Sequence, residues 1–173
     1  PTPATYTWKV DSHGPVIINP SAFPSPDRAG LPVLLSATVS DVASGNSNIT
    51  SAQFSLNGTT WFNMFPADFK FNETSELVVA ILPPLPPGIY TVSFRGTDGA
   101  GNTGPVSTLT LPVFDRHSKI NGSGTFASPA GADLAHPAAT GTASFDIDAK
   151  YKGNDNTPSG KVTFQFGSLK FQS

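Results

Sequence analysis

Apolar and polar positions alternate along most of this chain. Tyr6, Trp8 and Val10 fall on one side of a two-residue repeat, with Thr5, Thr7 and Lys9 on the other. That alternation predicts a half-buried strand. Ser12-His13-Gly14-Pro15 interrupts it, Val16-Ile17-Ile18 follows, and Asn19 to Pro32 reads as a long polar connection. Pro15, Pro20, Pro24, Pro26 and Pro32 argue against a helix there and favour extended edges. Val33, Leu35, Ala37 and Val39 then alternate with Ser36, Thr38 and Ser40, and a Ser/Gly/Asn loop runs from Asp41 to Asn48. Ala52, Phe54 and Leu56 alternate again before Asn57-Gly58, the strongest hairpin signal in the chain. Trp61 to Phe65 is the return strand, its alternation blurred by aromatics. Leu77–Leu82, Tyr90/Val92/Phe94 and Leu109/Leu111/Val113 complete the series, separated by proline- and glycine-rich turns. About seven short strands in roughly 100 residues is the count of an immunoglobulin-like sandwich.

Asp115-Arg116-His117-Ser118-Lys119 is a charged hinge, after which the texture changes. Gly122, Gly124, Gly131 and Gly141 spread through a Ser/Thr/Ala-rich stretch. Phe145, Ile147, Ala149 and Tyr151 then alternate with Ser144, Asp146, Asp148 and Lys150. After a polar loop from Lys152 to Gly160, Val162, Phe164 and Phe166 alternate with Thr163 and Gln165, with Leu169 and Phe171 extending the pattern. The expected organisation is an N-terminal strand or linker over 1–13, an Ig-like sandwich over 14–115, and a Gly-rich β module over 116–173. Three or four strands are few for that last unit, because domains of about 60 residues bury only about 60% of their unfolded surface. The expected fold class is therefore all-β, an Ig-like antiparallel β-sandwich plus a second, incomplete β module. The chain opens Pro1-Thr2-Pro3 and its single methionine is Met64, so a fragment of a longer protein is expected.

Composition sharpens this picture by exclusion. Only 13% of the 173 residues are charged, against an average near 25%, so Ser, Thr, Asn and Gly cover the surface. Ten Lys+Arg against 12 Asp+Glu give a net charge of −2. With no basic cluster, nucleic acid is an unsuitable partner. No apolar run is long enough for a membrane-spanning helix. Cysteine is absent, which excludes disulfides, thiolate metal sites and a Cys nucleophile.

Two stretches carry a resemblance. Val39-Ser40-Asp41, Ser44-Gly45 and Ala52 to Trp61 resemble the front half of bacterial Ig-like repeats. Pro87-Gly88-Ile89-Tyr90-Thr91-Val92 with Thr97-Asp98-Gly99-Ala100-Gly101-Asn102-Thr103 resembles their closing half. In such arrays a segment like Tyr6 to Asp11 closes the preceding repeat. Gly124-Thr125-Phe126, Ser128 to Ala132, Ala143-Ser144-Phe145 and Pro158 to Phe166 resemble a Gly-rich β module that accompanies Ig-like repeats in secreted bacterial proteins. The resemblance implies an extracellular or cell-surface location, with further strands following the second module.

Catalytic motifs are missing. His13, His117 and His136 sit in predicted loops, and neither a His-Glu-x-x-His nor a Gly-x-Ser-x-Gly motif occurs. Calcium is the ligand the sequence supports best: Asp11, Asp41, Asp98 and Asn102 lie at or near strand ends, and hard cations take several oxygen ligands. The alternative is that each accepts backbone N–H bonds in its own turn. Asp146 and Asp148 fit an exposed strand face. Core packing accounts for most aromatics. Phe62, Phe65, Phe69 and Phe71 are surplus to one sandwich, and if exposed together they predict a protein interface. Asn48, Asn57, Asn72 and Asn121 head Asn-x-Ser/Thr sequons, candidate glycosylation sites only where the host glycosylates.

The expected function is a non-catalytic extracellular structural or adhesive module. Its partners are neighbouring modules or identical subunits. One form of it is a fibre subunit in which Tyr6, Trp8 and Val10 complete a neighbour's sheet by strand addition. The alternative is a carbohydrate-binding or spacer module of a larger secreted hydrolase, with surface polysaccharide as partner and Trp61 and Tyr90 as sugar-stacking candidates.

Overall fold

The computed structural model describes Pro3, residues 10–152, Asp155 and residues 157–173. The Tyr6 and Trp8 positions lie outside the described residues. The described chain is all-β and divides into two units, Pro1–Phe114 and Asp115–Ser173.

Unit 1 contains β1 (Val16–Phe23), β2 (Asp27–Arg28), β3 (Val33–Ser40), β4 (Ile49–Ser55), β5 (Phe62–Pro66), β6 (Ser75–Leu82), β7 (Gly88–Asp98) and β8 (Ser107–Phe114). They hydrogen-bond in the order β1-β3-β6-β5-β4-β7-β8-β2. β5 turns the corner between two layers: Ala52 of β4 faces Met64, and Val79 of β6 faces Phe65. Because strand side chains alternate, Val33, Leu35, Ala37 and Val39 point inward from β3, Val78, Ala80 and Leu82 from β6, and Val92 and Phe94 from β7. These meet Ile49, Phe54, Leu111 and Val113 in one core. Each large side chain so buried contributes about 1.5–3 kcal/mol. The Tyr90 hydroxyl donates to the Pro86 carbonyl at 2.9 Å, the tyrosine corner typical of Ig-like sandwiches.

Two local expectations change. The stretch from Asn19 to Pro32 is not simply a connection, since β1 runs on to Phe23 and Asp27-Arg28 pairs in parallel with β8. Backbone pairing along a sheet edge, which leaves no apolar period, explains why the pattern hid them. The Asn57-Gly58 signal sits in a longer turn rather than a two-residue hairpin. Asn57 Oδ1 accepts from the backbone N–H of Thr59 and Thr60 at 2.9 and 2.8 Å, and Gly58 takes φ +72°. An Asx turn thus replaces the tight hairpin.

Unit 2 is a single antiparallel sheet of β9 (Lys119–Ser128), β10 (Gly141–Lys150), β11 (Ser159–Phe166) and β12 (Leu169–Gln172), in the order β12-β11-β10-β9. β9 was masked in the pattern by Gly122 and Gly124, which fall on its apolar positions opposite Ile147 and Phe145. An added Cβ at Gly124 would meet the Phe145 ring at 2.8 Å, so the ring takes the space the glycine leaves.

Candidate functional site

One pole of unit 1 gathers carboxylates from three places in the chain. Asp41 follows the last residue of β3, Asp98 ends β7, and Asp11 arrives from the segment before β1. That segment is held down by close backbone packing. A Cβ on Gly14 would lie 2.3 Å from the Gly104 nitrogen, and one on Gly104 would lie 1.7 Å from the Pro15 carbonyl oxygen. Only glycine permits this crossing, which fixes Asp11 beside the β7–β8 turn.

The loop after β3 is organised by Asp41. Its carbonyl accepts from Ser44, Gly45 and Asn46 at 3.0, 3.1 and 2.8 Å, and its Oδ2 accepts from the Ser47 N–H at 2.7 Å. The Ser47 hydroxyl donates in turn to Asp11 Oδ2. A Cβ on Gly45 would fall 2.0 Å from the Asp11 carboxyl, so the carboxylate rests against bare backbone. At the other wall, Asp98 Oδ1 accepts from the Asn102 N–H at 2.9 Å. Asn102 Nδ2 reaches Asp98 Oδ2 at 3.2 Å, the Asp11 carbonyl at 3.2 Å and Asp11 Oδ1 at 3.4 Å.

Asp11, Asp41 and Asp98 each offer an oxygen within 4.8 Å of the others, about twice a Ca–O distance of roughly 2.4 Å. Asp41 and Asp98 are fully buried. One atom there is unexplained by turn capping: Asp41 Oδ1 is buried and accepts no hydrogen bond. An orphaned carboxylate oxygen in a low-dielectric site is costly unless a cation satisfies it, and three like charges at this spacing repel one another. Asn102 belongs to the same cluster, presenting its amide N–H to the carboxylates; a half-turn of the amide would present Oδ1 instead. Turn capping is therefore observed for part of this cluster and does not account for all of it. Asp98 and the Oδ2 of Asp41 cap turns, while Oδ1 of Asp41 is left for something else. Ser47 was unmarked by any motif, and Gly45 stood out only as part of the Ser44-Gly45 step that carries the resemblance.

The other singled-out residues disperse. Val10 is 83% exposed. Asn48, Asn57, Asn72 and Asn121 are all at the surface. His117 Nδ1 lies 3.2 Å from Asp115 Oδ1 and His136 Nδ1 lies 3.1 Å from Asp133 Oδ2, each a contact within its own loop. Arg95 sits 4.0 Å over the Trp61 ring, held by its own bonds to Gln53 Oε1, so one ring face is already taken by a cation–π contact. Phe62, Phe65 and Phe69 are exposed, and Phe71 packs against the core. Phe62 and Phe65 line an open apolar groove of about 480 Å³ with Phe54, Ile81 and Pro83.

No protein-family model and no curated protein matches the chain. Among solved structures it is similar to two of the SrpA adhesin from Streptococcus sanguinis. One, a point mutant, gives a TM-score of 0.42 at 15% identity, covering 95% of this chain and 94% of that one. The other gives 0.40 at 15% identity, covering 96% and 94%.

Proposed function

We propose that this chain is a non-catalytic extracellular structural and adhesive module whose acidic pole binds calcium. The observation that carries the metal reading is the buried, unpartnered Oδ1 of Asp41 inside the Asp11–Asp41–Asp98 cluster. Calcium there would join the segment containing Asp11 to the sandwich and stiffen the approach to unit 1, as an array element or surface fibre requires. Titration calorimetry of the whole chain with calcium tests it. The expected result is one site, weakened at least tenfold in Asp11→Ala, a variant outside the core. No heat, or binding unchanged in Asp11→Ala, sinks the reading. Extracellular calcium sites commonly work at 10⁻⁴–10⁻³ M, so the titration has to reach that range.

A fibre form of the same reading rests on the edge of unit 2. β9 presents ten residues with no strand on its outer side among the described residues, and such an edge accepts an added strand. Residues 1–11, with Tyr6, Trp8 and Val10 in alternation, are the proposed donor from a second subunit. Deleting them is expected to abolish filaments in negative-stain images and leave dispersed particles. Filaments that persist without residues 1–11 exclude the donor role.

A further inference from the structure

We propose that Asn102 stands in for a cation while the acidic pole holds none, and that its side-chain amide turns over when one binds. This role presupposes the calcium reading of the pole and adds what the chain itself does there in its two states. Asn102 lies in the turn between β7 and β8, where Asp98 fixes its backbone. Its N–H donates to Asp98 Oδ1 at 2.9 Å, and its carbonyl accepts from the Asp98 N–H at 3.1 Å. Both bonds use the main chain of Asn102, so its side chain can turn without breaking them.

Three oxygens face that side chain. The Asp11 carbonyl lies 3.2 Å from Nδ2, Asp98 Oδ2 lies at 3.2 Å and Asp11 Oδ1 at 3.4 Å. A carbonyl and two carboxylates can only accept hydrogen bonds. The amide must therefore meet them with its NH2 group, since Oδ1 in that place would set acceptor against acceptor. Without a cation, these N–H groups tie Asp11, from the segment before β1, to Asp98 at the end of β7. Their partial positive charge offsets some of the repulsion among carboxylate oxygens lying within 4.8 Å of one another.

With a cation in the pole the preference reverses. Hard divalent ions take oxygen ligands, and an NH2 group directed at one is repelled. A half-turn about the last side-chain bond exchanges the two ends of the amide and presents Oδ1. Nothing opposes that turn from the other side, because Oδ1 makes no hydrogen bond among the described residues. Asp41 has no equivalent substitute: its Oδ1 is buried without a partner. The pole is thus satisfied in part by its own amide, on the side of Asp11 and Asp98. The Asp11 segment stays docked in both states, and the cation changes how strongly it is held rather than where it lies.

Nuclear magnetic resonance of the whole chain, labelled with heavy nitrogen and titrated with calcium chloride, tests this. The side-chain NH2 pair of Asn102, identified by its absence from Asn102→Asp, is expected to shift with calcium, whereas that of exposed Asn57 stays in place. Asn102→Asp exchanges the NH2 group for a fourth carboxylate. It is expected to melt lower than the parent in chelator and to bind calcium about tenfold more tightly, because ligand charge tunes affinity. Asn102→Ala is expected to melt lower in chelator and to bind calcium more weakly. Circular dichroism in calcium checks that both variants fold. An NH2 pair that stays put in a parent that binds calcium overturns the turn of the amide and leaves the metal reading intact. Asn102→Ala melting with the parent in chelator overturns the stand-in. A parent that takes up no calcium overturns the metal reading, and this role with it.

Discussion

Saturating calcium is expected to raise the melting temperature of unit 1 by about 10 °C, and chelator to return it. A ligand held at 100 times its dissociation constant stabilises the folded state by about 2.7 kcal/mol. A domain of this size gains about 4 °C or somewhat more for each kcal/mol. The site supplies the reason for a large effect. Three carboxylate oxygens within 4.8 Å of one another repel in the absence of a cation, and Asp41 Oδ1 is buried without a partner. Asp41→Asn keeps an acceptor for the Ser47 N–H and removes one charge, so its melting temperature without calcium should match the parent or exceed it. Its response to calcium should vanish. Gly45→Ala acts from outside the ligand set, since its methyl group would meet the Asp11 carboxyl at 2.0 Å and push it aside. That variant should bind calcium more weakly without losing its fold. Magnesium should give a smaller shift, because it demands near-octahedral geometry and gives up water reluctantly. Scanning calorimetry in calcium and in chelator measures all of these. Superimposable scans of the parent chain under the two conditions would remove calcium from the account.

Much of this fold was legible because strands with one wet face write their burial into a two-residue period. Val33 to Val39, Ala52 to Phe54, Val92 to Phe94 and Phe145 to Ala149 were readable for that reason, and the buried apolar members of β3 and β7 are those the alternation selects, while Ser40, Ser55 and Ser93 are buried against it. Where the period carried no side chain, the signal failed. β9 holds glycine at two of its inward positions and read as irregular. β2 is two residues long and paired through its backbone, which no pattern of side chains reports. The acidic cluster was legible as a set of strand-end aspartates, since strands of a sandwich finish at its poles. Its supporting shell was not. Gly14, Gly45 and Gly104 matter through what lies against them, and a contact between residues 11 and 45 or 15 and 104 leaves no trace in local sequence.

Asp27→Asn is expected to stabilise the chain near neutral pH by about 1 kcal/mol, because it exchanges a buried charge for a buried neutral amide, which costs less to keep out of water. Asp27 is fully buried in β2, and neither of its oxygens makes a hydrogen bond of good geometry. Burial pushes its carboxyl above the ordinary range, offset in part by the backbone N–H of Arg28. The strand cannot swing the side chain out to water, because Asp27 is registered against Val113 and the Ala29 N–H donates to the Phe114 carbonyl at 2.9 Å. The sign follows from linkage. A carboxyl whose pKa is raised on folding binds its proton more tightly in the folded state. Its favourable contribution is complete below the unfolded value of about 3.9 and is lost as pH rises through the higher folded value. Asparagine has no such titration. The difference in unfolding free energy between Asp27→Asn and the parent should therefore be largest near pH 7 and shrink as pH is lowered toward 3. Urea titrations of both proteins at matched pH isolate this group, because the carboxylates of the acidic pole cancel in the difference. A variant less stable than the parent at pH 7 would mean that the Asp27 carboxylate is held by a cation or a partner group, and that its charge stabilises the fold.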